Sequence, residues 1–103
     1  MPKSELEDAL LFQIAAAELP PPIREYRFAE IIGRWWRFDL CWPDRMIAVE
    51  VEGFGHHKLS RYIGDIDKYN AAIELGYRLY RVTGKMVKGG RALTLIERVL
   101  NAT

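Results

Sequence analysis

The sequence predicts a mixed α/β domain in which helices cover a sheet. Three observations predict it. Hydrophobic periodicity switches between helical and alternating along the chain, in the order α-β-β-β-α-β-α. Proline and glycine clusters fall at the switches. At 103 residues, half of them hydrophobic, the chain is long enough for one core, so residues 1–103 are expected to form one domain.

The first helix follows Ser4, three residues before Glu7, which is the spacing of a capping box; Leu6, Leu10, Phe12 and Ile14 follow. "LPPP" at 19–22 ends it, because successive prolines remove backbone donors and favour extended chain. "REYRFAE" (24–30) and "RWWRFDLCW" (34–42) alternate and are rich in aromatics, so they read as strands around a turn at Gly33. "RMIAVEVE" (45–52) is a third strand and "GFGHH" a glycine-punctuated loop. Tyr62, Ile66, Tyr69 and Ile73 recur at helical spacing, which gives a helix from about Asp65 to Leu75, with Gly76 as its stop. "YRLYRV" (77–82) is a fourth strand and "ALTLIERVL" (92–100) a closing helix.

Charge is unevenly spread. The net charge is +1, but residues 76–103 hold six Lys or Arg against Glu97 alone, a modest basic patch or a solvated face. The lone Cys41 excludes an internal disulfide and a multi-cysteine zinc site. No signal peptide or long apolar span is evident, so a soluble, cytoplasmic protein without a membrane partner is expected.

The second and third strands raise the functional question. A β-turn on "PDRM", with Asp44 and Arg45 at its centre, opposes Trp36 to Gly53, Phe38 to Val51, Leu40 to Val49 and Trp42 to Ile47 on an apolar face. The other face then pairs Arg37 with Glu52, Asp39 with Glu50, and Cys41 with Ala48. Opposed side chains lie about 5 Å apart at Cβ, so Asp39 and Glu50 repel unless a cation compensates them. Two exposed carboxylates beside an Arg37–Glu52 ion pair would be harmless. A divalent ion on hard oxygen ligands, magnesium or manganese, would give the pair a purpose. His56, His57, Asp65, Asp67 and Lys68 follow within a few turns of chain.

The string "FDLCWPDRMIAVEVEG…H…DIDKYNAA…LGYRLYRVT" resembles the restriction-endonuclease-like PD-(D/E)xK nucleases, in particular the small phage-borne and very-short-patch-repair-like branch. The similarity extends over roughly residues 4–90. It implies an αβββαβ core, a Mg²⁺- or Mn²⁺-dependent endonuclease acting on DNA, and a bacterial host cytoplasm. By position it implies Asp39 as principal metal ligand, Glu50 as second acid and the Val51 carbonyl as a further ligand. Glu52 falls where the superfamily places its catalytic lysine, and Lys68, three residues after Asp65 on one helix face, is the candidate replacement. A histidine nine residues before the helix-opening Asp is implied as well, which selects His56 over His57 to orient or deprotonate water near pH 7. Glu7 is implied as a first-helix acid at the site, against its capping-box reading. Arg78, Arg81, Lys85, Lys88 and Arg91 are candidate DNA-backbone contacts. No helix is evident for base recognition, so branched or mismatched DNA is as good a candidate as a short sequence. The competing readings are an inactive DNA-binding module on this fold and a protein-interaction subunit presenting Trp35; a second copy of the chain is a candidate partner.

Overall fold

Four strands and four α-helices follow one another in a computed structural model that describes residues 1–53 and 59–102, and only the backbone of 59–62. They are α1 (Lys3–Ala16), β1 (Ile23–Arg27), β2 (Arg37–Trp42), β3 (Ile47–Glu52), α2 (Leu59–Glu74), β4 (Arg78–Thr83), α3 (Gly84–Lys88) and α4 (Arg91–Asn101). The sheet runs β1-β2-β3-β4; the first three strands are antiparallel and β4 lies parallel to β3. A parallel return needs a crossover, and α2 supplies it. The chain is therefore an α/β domain with a mixed sheet flanked by helices.

The two central strands are largely apolar and covered on both faces. Leu6, Leu10 and Ile14 of α1 pack with Val87, Ile96 and Val99 of the C-terminal helices against Leu40, Trp42, Ile47, Val49, Val51 and Val82. On the opposite face, Ala72 of α2 packs against Cys41 and Ala48 with Phe28 and Phe38. Small side chains at 41, 48 and 72 let the helix approach the sheet closely. Phe28 stacks on Phe38 at 3.8 Å between centroids, and Tyr77 meets both edge-on. The Trp42 indole donates to the Pro20 carbonyl at 2.8 Å and anchors the proline segment.

Several sequence expectations change in detail. Helix α1 starts at Lys3 behind Pro2 and no side chain caps it, so Ser4 and Glu7 form no capping box. Glu7 lies on the buried side of the helix instead. The expected register holds for Leu40–Val49, Cys41–Ala48 and Trp42–Ile47, and the Met46 N–H bonds the Pro43 carbonyl across the expected turn. Beyond Leu40 it breaks. Phe38 packs in the α2-side core, whereas Leu40 and Trp42 face α1, so alternation flips at Asp39. The neighbouring strand flips beside it, where Glu25 takes a left-handed φ of 51°. Arg37 and Glu52 do not pair; Arg37 reaches Glu25 and Glu52 binds Arg81. The crossover helix begins at Leu59 rather than near Asp65, and α3 intervenes before the closing helix.

Candidate metal and phosphate site

Asp39 and Glu50 are two of the three buried charged or polar residues among those described, at 5% and 3% exposure; Glu7 is the third. Their burial follows from the local break in the sheet. Past Leu40–Val49, side chains take over hydrogen bonds that a regular ladder would make through the backbone. The Val51 N–H donates to Asp39 Oδ2 at 2.8 Å, and the Asp39 N–H donates to Glu50 Oε2 at 3.1 Å. Each acid is therefore held by the other's strand.

Two ammonium groups face the pair from opposite sides of the sheet. Lys68 of α2 donates to Glu50 Oε1. Lys3 of α1 lies 3.0 Å from Asp39 Oδ1. Burial pushes the Glu50 carboxyl up to about 7, helped by its hydrogen bond with Asp39 and that residue's charge, and opposed by Lys68. Burial pulls the Lys3 ammonium down, yet Asp39, Glu50 and Glu7 together hold it above its usual value. Glu7 is also raised, first by burial and then by Asp39.

On the α1 side, carboxylate oxygens of Glu7, Glu25 and Asp39 all lie within 4.8 Å of one another. Arg24 approaches Glu7 at 3.6 Å and Asp8 at 3.2 Å. On the α2 side, Glu52 accepts from Arg81 Nε at 2.7 Å and from the Tyr69 hydroxyl at 3.4 Å. Burial first, and then the Glu50 and Glu52 carboxylates, hold that hydroxyl well above its usual value, so it remains a donor. The Arg81 guanidinium also lies over the Tyr69 ring at 4.7 Å.

The fold thus brings together Asp39, Glu50, Glu7 and Lys68, with Glu52 and Arg81 at the edge. Val51 contributes its backbone at the same point. It does not bring Arg78 there: that residue starts β4, three positions from Arg81 or roughly 10 Å along the strand, and donates to the Tyr80 hydroxyl. Lys85 and Lys88 lie on α3, and Arg91 opens α4. His56 and His57 lie outside the described residues.

Sequence reasoning missed Lys3 and Glu25. Lys3 was within reach, since it precedes Glu7 by one helical turn and shares its face. Glu25 was not: it meets Asp39 because β1 runs beside β2, with Arg24–Leu40 and Tyr26–Phe38 as flanking pairs. In comparisons with known proteins, no family model, curated protein or solved structure matched this chain.

Proposed function

We propose that the chain is a divalent-metal-dependent endonuclease that hydrolyses DNA phosphodiester bonds. The observation that carries this reading is the buried Asp39–Glu50 pair, seated where β2 and β3 part and flanked by two lysines. A buried carboxylate pair is costly unless a cation compensates it. The donor set fits a hard cation: Asp39 groups with Glu7 and Glu25, the Glu50 carboxylate lies against the Asp39 backbone, and the Val51 carbonyl would be a further oxygen ligand. A bound Mg²⁺ or Mn²⁺ ion would polarise the scissile phosphate and lower the pKa of water.

The remaining chemistry belongs to the chain. Were Asp39 and Glu50 to hold such an ion, Lys68, which contacts Glu50, would be placed to donate to a non-bridging phosphate oxygen as negative charge develops there. This gives Lys68 the role that Glu52, an acid, cannot perform. Glu52 instead fixes Arg81, whose guanidinium can hold a neighbouring phosphate without reading a base. Glu7, already raised by its surroundings, can accept a proton or hydrogen bond from water beside Asp39. By the resemblance alone, His56 would orient or deprotonate water.

One observation favours the alternative of an inactive DNA-binding module. Lys3 and Lys68 already contact the two acids, an arrangement that needs no metal. A cleavage panel separates the readings: linear, nicked, mismatched and four-way-junction DNA with Mg²⁺ or Mn²⁺. Cleavage that disappears with chelator and in Asp39→Ala is the expected result. DNA binding without cleavage of any substrate would leave the inactive module.

A further inference from the structure

The connection between β1 and β2 leaves large apolar side chains uncovered at a well-built position. Trp35 is 74% exposed and Ile31 85% exposed, and Ile32 is about half exposed. The segment is nevertheless firmly held. The Ile32 and Arg34 N–H groups both donate to the Ala29 carbonyl, and the Gly33 N–H donates to Glu30 at 2.9 Å. Gly33 turns the chain with a φ of 74°, which a side chain would strain. Ala29 and Phe28 at its base are buried, and Phe28 is stacked on Phe38. Ile31 and Trp35 are therefore held out in water by a rigid support, against the hydrophobic effect.

The flanking charges indicate what covers them. The Arg27 guanidinium lies over the Trp35 ring at 4.7 Å, and the Arg34 guanidinium over Trp36 at 4.6 Å. Residues 24–37 hold four arginines against Glu25 and Glu30. Those two acids reach Arg37 and Arg27 only at 4.0 and 3.9 Å. With Arg27 over one face of a ring that is still 74% exposed, the indole can offer its other face to a nucleobase joined to phosphates, the ring stacking while the cations meet the backbone. Trp35 also lies only four residues before Asp39, which at the rise of a strand is at most about 13 Å, or about four base steps along DNA.

We infer that Trp35 is a stacking platform for an unpaired or unstacked base of the DNA bound at the Asp39 site, with Arg27, Arg34 and Arg37 on the adjoining phosphates. This rests on the DNA-cleaving reading for the location of the scissile bond, and it narrows the substrate to DNA with a disrupted step. A fully stacked duplex offers no base face to the indole, whereas a bulge, mismatch or branch offers one at lower cost.

The test is fluorescence anisotropy in chelator with two fluorescein-labelled duplexes, one fully paired and one with a central single-base bulge. Wild type should prefer the bulged duplex. Trp35→Leu, which keeps apolar bulk and removes the π face, should lower affinity for the bulge by about 5- to 150-fold and change the paired duplex by less than about twofold. Trp35→Phe should retain most of the preference. Thermal melts of all three proteins confirm that each is folded, as the exposed ring predicts. Unchanged bulge affinity in Trp35→Leu, or equal losses on both duplexes, overturns base stacking while leaving the nuclease reading intact. Self-association of wild type that Trp35→Leu abolishes, with DNA affinity unchanged, replaces the base by a protein partner. A Trp35-dependent bulge preference without cleavage in Mn²⁺ upholds the platform and removes the nuclease. Failure of wild type to bind either duplex at low salt, in chelator and with Ca²⁺ alike, removes both.

Discussion

Lys3 and Asp39 show how far a single contact can be carried. The half-exposed ammonium neutralises one oxygen that the proposed cation would use, so the two compete. Lys3→Met should therefore tighten Mn²⁺ binding by roughly two- to fivefold, the scale of a partly exposed ion pair; unchanged or weaker binding would show that Lys3 does not compete with the ion. Cys41 offers a test of the packing behind the site. Burial, with a smaller contribution from Asp44, pushes its thiol up to about 12 from an ordinary 9. The folded protein keeps the proton that the unfolded chain releases above its ordinary pKa, so the thiol disfavours folding only as pH rises past 9. Between pH 7 and 9, native alkylation by iodoacetamide should be orders of magnitude slower than alkylation in denaturant at the same pH, because the buried thiol forms far less thiolate and is shielded from the reagent. Both rates should rise with pH, since this range lies at or below the thiol's pKa in either state. Native alkylation as fast as that in denaturant would contradict the buried position. At this scale the sequence was most legible where spacing alone carried the information. Asp39, Glu50 and Lys68 were readable, whereas Glu25 depended on which strand lay beside which.

The parting of β2 and β3 is the element on which the site depends. Its apolar register was readable from Leu40, Trp42, Ile47 and Val49, because a one-residue slip would have turned that set towards the wrong face. The break beyond it was not readable, because Phe38 continues the same alternation in sequence yet packs on the other side. Helix α3 escaped notice for a similar reason: "GKMVK" is too short to show a helical period, and Thr83 caps it by accepting from the Met86 N–H. The Asp39 carboxylate is a backbone acceptor as well as a candidate ligand, which separates two substitutions. Asp39→Ala leaves the buried Val51 N–H without its acceptor, whereas the amide oxygen of Asp39→Asn can replace it. By urea unfolding in chelator, Asp39→Asn should exceed Asp39→Ala in stability by about 1–3 kcal/mol. Equal stabilities would mean that the hydrogen bond across the break contributes little.

Across the whole molecule, the sheet carries acids at the point where β2 and β3 part, and exposed cations lie on the segments around it. None of the described helices is long and apolar enough to cross a membrane. The sequence made the element order readable because each change of periodicity coincides with a proline or glycine boundary. It could not show that the basic residues of 76–103 are dispersed, with Arg78 at one end of β4 and Lys85 on the helix after the other. If DNA crosses the acid-bearing end, affinity should fall steeply with salt, and replacing Lys85 and Lys88 together with Gln should lower the log–log slope by up to about two. An unchanged slope in anisotropy titrations would place α3 away from the DNA. Joint coordination of a divalent cation by Asp39 and Glu50 can be measured by calorimetric titration of the metal-free protein with Mn²⁺ near neutral pH. Saturable binding is expected for wild type and should be lost in both Asp39→Asn and Glu50→Gln while each variant remains folded. Binding of equal affinity in both variants would contradict joint coordination.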